Sequence, residues 1–417
     1  MATPGDFFDD LETRDPEARE AALMAALARQ IAHAKDKAPA FARILADVDP
    51  GAVTGRDALA HVPLTRKAGL IELQKDAPPF GGLAAAPPGA VVRLLASPGP
   101  AYEPETARTD YWRAARALYA AGFRAGDVVH NSFSYHLTPG GWILDSGLRA
   151  LGCAVVPGGV GNTEAQAQAI AQFRPGGFSG TPDFLKVVLD KGLEMGLDCT
   201  SITKALVSGG ALFPAQRQDY KNRGIAVLQA YMTADLGSIA YESAPDEGLI
   251  VDEGLIVEIV RPGTGDPVPE GEVGEVVATT LNPDYPLIRF ATGDLSAVLP
   301  GTSPCGRTNV RLKGWMGRAD QNTKVKGMFV HPAQVAEVVK RHPEIIKARL
   351  VVARAGDADV MTLACEVEAG RTGDAALTQA IADSLQSVTK LKGVAELCEP
   401  GVLANDGKVI EDARSYD

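Results

Sequence analysis

Between Asp110 and Ala205, runs with helical periodicity alternate with short apolar runs, and that alternation restricts the fold more than any other feature of the chain. The spacing predicts helices over 111–121, 142–151, 164–173 and 183–195, and strands over 128–133 and 153–157. Strands separated by helices need crossover connections, so the segment predicts a mostly parallel sheet covered by helices. Upstream, Leu23, Leu27 and Ile31 recur every fourth position among Ala, Arg and Glu, the period of a helix over 17–36 that packs one face on the body. Pro and Gly crowd 78–100, a loop that carries a short strand at 91–95.

The pattern changes after Tyr231. Residues 248–280 are rich in Val, Ile and Glu and are broken by Gly263, Gly265 and Gly271, as in antiparallel strands joined by turns. The end of the chain reads helix 332–340, strands 350–353 and 361–367, helix 374–388 and strand 395–399, enough for a separate α+β unit of about 100 residues. The expected fold class is therefore α/β: a large mixed-sheet domain over 1–318 with flanking helices, and a small α+β domain over 320–417, the boundary lying near Gly317 to Asp320.

Composition removes several function classes. A chain of 417 residues exceeds one compact core. Its net charge of −11 opposes a nucleic-acid backbone or an anionic membrane surface, so neither is an expected partner. Cys153, Cys199, Cys305, Cys365 and Cys398 are scattered without zinc-type spacing, which suggests reduced thiols and a cytoplasmic setting. The first ten residues are acidic and lack the basic and apolar regions of a signal peptide, and no run approaches the length of a membrane span.

Two motifs carry chemistry. The first is Tyr285-Pro-Leu-Ile-Arg-Phe-Ala-Thr-Gly-Asp294, and the second Gly317-Arg-Ala-Asp-Gln-Asn-Thr-Lys-Val-Lys-Gly327, followed by Val330-His-Pro-Ala-Gln-Val-Ala-Glu337. In order and spacing they resemble the ribose-binding and hinge signatures of adenylate-forming enzymes, in the form found in phenylacetate-CoA ligases. The likeness extends over nearly the whole chain. It implies a carboxylate-CoA ligase for an aryl or small organic acid, working through an acyl adenylate and then an acyl-CoA thioester. It further implies ATP/AMP, Mg²⁺ and CoA as cofactors, a carboxylic acid or acyl-CoA as partner, a mobile C-terminal domain and a homodimer.

Residue by residue, the resemblance implies that Asp294 accepts hydrogen bonds from the ribose hydroxyls, a task suited to a carboxylate with paired acceptor oxygens. Arg318 supports the same ribose or pairs with a carboxylate, and Asp320 is the hinge. Lys408, in Asn405-Asp-Gly-Lys408, is the catalytic lysine beside the reacting carboxylate and α-phosphate. Gly209, Gly210 and Ala211 form the small-residue turn that lets adenine lie against backbone, and Tyr231 stacks on the base. Asp235 stands where the family has a magnesium-binding Glu and is one methylene shorter. Tyr135 and His136 fall in the segment that shapes the acid pocket. The letters alone also fit blander readings: a Gly-Asp turn at 293–294, a surface ion pair at Arg318, a solvated tail lysine at 408 and a packed core tyrosine at 231.

One stretch departs from the family. Where the phosphate loop reads approximately Ser-Ser-Gly-Thr-Thr-Gly-Lys-Pro, this chain has Ala96-Ser-Pro-Gly-Pro-Ala-Tyr-Glu-Pro104. Pro98 and Pro100 have no N–H to offer phosphate oxygens, and Glu103 replaces a cation with an anion. The expectation is that ATP is held less firmly than AMP, with Lys324 or Lys326 as substitute cations. The alternative is a non-adenylating relative that binds a carboxylate or acyl-CoA, or uses only the thioester half of the chemistry.

Overall fold

The computed structural model describes residues 6–97, 99–319, 323–325, 328–355 and 358–414. They group into two compact units. The first comprises the chain through Val257 together with Ala278–Ala291 and Leu299–Trp315; the second comprises Glu258–Val277, Thr292–Val298 and the chain from Met316.

The first unit contains the alternating segment. Strands Ala154–Pro157, Val128–Asn131, Gly177–Gly180, Lys204–Val207 and Ala226–Thr233 lie side by side in that order, each parallel to its neighbour. Gly237–Tyr241, Leu249–Val251 and Arg311–Leu312 then continue the same nine-stranded sheet antiparallel. The helices expected there are Ala114–Ala120, Gly140–Ala150, Thr163–Phe173 and Pro182–Glu194. Leu118, Phe123, Val129, Ile143, Leu148, Leu206 and Leu228 are buried in one cluster between helices and sheet. Gly177–Gly180 is a strand that the spacing does not announce. Its Gly-Phe-Ser-Gly has no β-branched residue, yet every position is buried, and a Cβ on Gly177 would lie 2.4 Å from the Phe123 ring.

The N-terminal helix Pro16–Lys37 starts on an Asp15 cap and buries Leu23, Leu27 and Ile31 as the period predicts. The 78–100 region ends in a hairpin rather than an open loop: Arg93–Ser97 pairs antiparallel with Ala101–Glu105.

In the second unit a four-stranded sheet runs Val394–Cys398, Ala358–Glu366, Lys347–Ala355, Ile410–Asp412. Helices Pro332–Arg341 and Ala375–Thr389 lie against it, and Leu350, Val352, Leu363, Ile381 and Leu385 are fully buried in its core. The two earlier segments are part of this unit because Val273, Leu295, Ala297 and Ala319 bury one another. Apolar contact of this kind is invisible to a boundary drawn from composition.

Candidate functional site

The C-terminal ends of the parallel strands form the expected binding edge, since loops there are held by a rigid sheet and are free to face a ligand. Gly209, Gly210 and Ala211 follow Lys204–Val207 and are exposed. Gly209 has φ +71°, a conformation that suits glycine, and a Cβ there would touch Phe133 at 3.4 Å. Tyr231 lies half-buried on the adjacent strand, where the pairing register with Gly237–Tyr241 shifts between Tyr231 and Met232. Such a bulge re-aims the side chains beyond it. Phe133, Thr138, Gly140, Ser208, Gly209 and Met232 line a cavity of ≈ 320 Å³ beside this turn, which also takes in Thr233 and Ala234. A volume of that size accommodates a small ligand.

The 133–142 segment reaches this cavity through Phe133, Thr138 and Gly140, whereas Tyr135 and His136 are placed elsewhere. The Tyr135 hydroxyl accepts from Asn131 Nδ2 at 2.7 Å and donates to Asp145 at 3.3 Å, with the ring edge-on to Trp142. It lines a second cavity of ≈ 610 Å³ with Trp142, Asp145 and Arg149. His136 is exposed. The segment is irregular backbone with Leu137 at φ +62°, so no periodicity in the sequence could assign its side chains to one side or the other.

Asp235 occupies the turn between Ala226–Thr233 and Gly237–Tyr241, one residue beyond the cavity lining. Its Oδ2 accepts from the Lys67 ammonium at 3.2 Å, and Lys67 also donates to Ser97 Oγ at 3.1 Å. Ser97 Oγ in turn donates to Glu103 Oε1 at 2.8 Å. Among the described residues Asp235 Oδ1 and Glu103 Oε2 are buried without a hydrogen-bond partner. Lys67 was not among the residues that the motifs pointed to. Its placement comes from the signature strand itself: Thr65 and Arg66 pair parallel with Phe290 and Ala291, and Lys67 then opens the helix Lys67–Asp76. Arg289 of the same motif is structural. It is almost fully buried, and its guanidinium donates to the Ala60 and Val62 carbonyls.

The expectation that Glu103 presents a negative charge to a phosphate is therefore corrected. Position 103 belongs to a strand, and only 1% of Glu103 is exposed. Burial raises its carboxyl to about 8, helped by the Asp235 charge and opposed by the Ser97 hydroxyl and the Lys67 cation. At neutral pH it is largely protonated, and the charged group with access to solvent is Lys67, whose side chain is 33% exposed. Pro98, Asp320 and Lys326 lie outside the described residues, as does the side chain of Lys324.

In the second unit, Asp294 sits within the strand Phe290–Ser296, so Gly293-Asp294 is no turn. Arg318 donates to Asp294 Oδ1 at 3.0 Å, and the backbone brackets the pair: Leu295 N–H donates to Gly317 O at 2.9 Å and Ala319 N–H to Gly293 O at 2.7 Å. Gly293 has φ +75°, and a Cβ there would lie 2.7 Å from Arg318 Nη2, so glycine lets the guanidinium approach. The carboxylate is 12% and the guanidinium 55% exposed, which leaves the pair open to a ligand on one side.

Lys408 is exposed beside Arg261, Glu272 and Lys347, lining a cavity of ≈ 50 Å³. The turn that carries it is held firmly. Asn405 accepts from Val273 N–H at 2.9 Å and donates to Gly271 O at 3.2 Å, and Arg349 donates to the Lys408 carbonyl. A Cβ on Gly407 would meet Val273 at 2.7 Å and Leu295 at 3.1 Å. Among the described residues no group of three or more His, Cys, Asp or Glu could hold a metal.

No protein-family model matches the chain. It is 32% identical over 378 residues to a phenylacetate-coenzyme A ligase of Thermus thermophilus, covering 86% of this chain and 83% of that one. It is 31% identical over 422 residues to a phenylacetate-coenzyme A ligase of Aromatoleum evansii, covering 95% and 94%. A crystal structure of 2-hydroxyisobutyryl-CoA ligase in the postadenylation state shares the fold with a TM-score of 0.71 at 23% identity, over 96% of this chain and 91% of that one. The same ligase in its thioesterification state, with 2-HIB-AMP and CoA, gives a TM-score of 0.70 over 97% and 92%.

Proposed function

The chain belongs to the phenylacetate-CoA ligase family, and from that premise we propose that it joins an aryl or small organic acid to CoA through an acyl adenylate. It is an enzyme of the AMP-forming acid–thiol ligase type. In the first half-reaction the substrate carboxylate attacks the α-phosphorus of ATP and pyrophosphate leaves. In the second the CoA thiolate attacks the acyl carbon and AMP leaves, so a mixed anhydride is spent to make a thioester.

The observation that carries this reading is the cluster at the ends of the parallel strands, where the ≈ 320 Å³ cavity adjoins Asp235 and the Lys67 ammonium. In the proposed assignment Tyr231 flanks adenine on the Gly209–Gly210–Ala211 turn and Asp294 accepts from the ribose hydroxyls once Arg318 yields. Lys67 offsets phosphate charge and Lys408 steadies the charge that develops at the α-phosphate. Phe133 and Met232 give the acid an apolar wall, which favours an aryl or short branched acid. A magnesium ion fits the donor set, since Asp235 presents a buried oxygen, unpartnered among the described residues, of the hard type that Mg²⁺ selects. When bound, the ion would screen the phosphate charge. Asp320 is the proposed hinge, and a cytoplasmic homodimer is the form this reading carries. No helix of the described residues is long and apolar enough to cross a membrane.

The non-adenylating alternative drew part of its support from a negative charge at position 103, and the buried Glu103 with Lys67 beside it removes that part. The test is acid-dependent exchange of labelled pyrophosphate into ATP over a panel of aryl and short-chain acids. Exchange that needs both an acid and Mg²⁺ supports the assignment, and exchange absent with every acid while acyl-CoA binds would restore the alternative.

A further inference from the structure

We infer that Glu103 is a positioning residue: through the Ser97 hydroxyl it fixes the Lys67 ammonium at the turn end of the 93–105 hairpin, so that the cation serving the nucleotide's phosphate tail comes from the 67–76 helix rather than from the loop. The inference rests on the nucleotide reading above and adds to it the source of the charge and the residue that aims it.

Strand alternation sets the geometry. Ser97 pairs with Ala101 and Leu95 with Glu103, and Leu95, Ser97, Ala101 and Glu103 are all buried on one face. Leu94 and Tyr102, on the other face, are exposed. A residue at 103 is thereby committed to the buried face, where Ser97 links it to Lys67 by two hydrogen bonds in series, at 2.8 and 3.1 Å. Gly99 stands close to the lysine: it has φ +146°, and a Cβ there would lie 3.3 Å from Lys67 Cε. The amino end remains partly in solvent between Ser97 and Asp235.

The unused atoms point the same way. Among the described residues Glu103 Oε2 and Asp235 Oδ1 are buried polar oxygens with no partner, and leaving such atoms unmatched costs stability unless the place serves something else. A lysine held by two oxygen acceptors and still partly exposed is aimed without being neutralised by a tight, fully buried pair. Lys67 is also the first residue of the helix Lys67–Asp76, whose N-terminus carries the positive end of the helix dipole.

The inference is tested by calorimetric titration of the whole chain with ATP and, separately, AMP, in the wild type and in Lys67→Ala, Glu103→Ala, Glu103→Gln and Ser97→Ala. Lys67→Ala is expected to weaken ATP by about tenfold or more, the usual size of a lost charge-assisted contact, while AMP changes less than about twofold. Glu103→Ala and Ser97→Ala are expected to weaken ATP severalfold with Lys67 still present. Glu103→Gln keeps an acceptor for Ser97 and is expected to stay near wild type, a rescue that loss of mere hairpin stability would not produce. An ATP-to-AMP affinity ratio unchanged in both Lys67→Ala and Ser97→Ala would overturn the inference. Wild-type protein that binds neither nucleotide would overturn the nucleotide reading itself, and a thermal melt of each variant separates misfolding from lost contact, with Ser97→Ala the mildest change.

Discussion

The 93–105 hairpin and the Asp294–Arg318 pair are both part of the proposed nucleotide machinery, yet their chemistry is stored in the chain in different ways. Asp294 and Arg318 stand inside two recognisable motifs, and a single bridge between short segments brings them to 3.0 Å. The hairpin has lost the letters of a phosphate loop, and its cation comes from Lys67, distant in sequence from both Ser97 and Asp235. A role performed by a side chain at a fixed motif position can be read from the motif. A role taken over by a residue from another element can be read only after the strand pairing that delivers it is known, here Thr65–Arg66 beside Phe290–Ala291.

That contrast can be broken first at Asp294. If its carboxylate accepts two ribose hydroxyls, Asp294→Ala should lower the rate of acid-dependent pyrophosphate exchange by about a hundredfold or more, the loss of two hydrogen bonds to a charged acceptor. An Asp294→Ala enzyme with near-normal exchange would reduce the pair to a surface ion pair.

A smaller but sharper effect is expected next to it. Gly293→Ala places a methyl group at positive φ and against Arg318 Nη2, and should cost about 1–2 kcal/mol of stability in chemical denaturation while moving the guanidinium. An unchanged midpoint would show that the strand tolerates a Cβ there.

The hairpin makes its own prediction through pH. Glu103 carries a folded-state pKa of about 8 against an ordinary 4.5, so the folded protein keeps a proton that the unfolded chain releases across that window. Its contribution favours folding below 4.5, declines as pH rises towards about 8, and is level above. A shift of that size corresponds to a decline of roughly 5 kcal/mol over the whole window. Glu103→Gln should flatten that part of the stability profile measured by denaturation at several pH values. A profile identical to wild type would mean that Glu103 is ionised in the folded state. The smallest effect belongs to Arg318→Lys: with the guanidinium more than half exposed, stability should change by less than about 1 kcal/mol.

Much of the architecture was legible because it rests on local periodicity. The helix Pro16–Lys37, the alternation from Ala114 to Glu194 and the strands and helices beyond Pro332 follow their apolar spacing to within a few residues. Gly177–Gly180 was not legible, since its strand character comes from burial on both faces rather than from its residues. The grouping of Glu258–Val277 with the C-terminal segment escaped for a similar reason: Val273 and Leu295 are ordinary apolar letters until Ala319 packs on them. Of the proposed site, Gly209 and Asp294 were named from the motifs, whereas Gly293 was read only as half of a turn that the structure replaces with a strand. The burial that makes Glu103 neutral could not, because an isolated Glu reads as a charge.

The proposed function stands on the coupling of adenylation to thioester formation in this chain. Incubation of the purified protein with ATP, Mg²⁺, CoA and phenylacetate or a related acid, followed by chromatography and mass spectrometry of all products, tests it most directly. AMP, pyrophosphate and acyl-CoA are expected in equal amounts, none appearing when the acid is omitted. Formation of ADP and inorganic phosphate, or acyl-CoA produced without consumption of ATP, would contradict it.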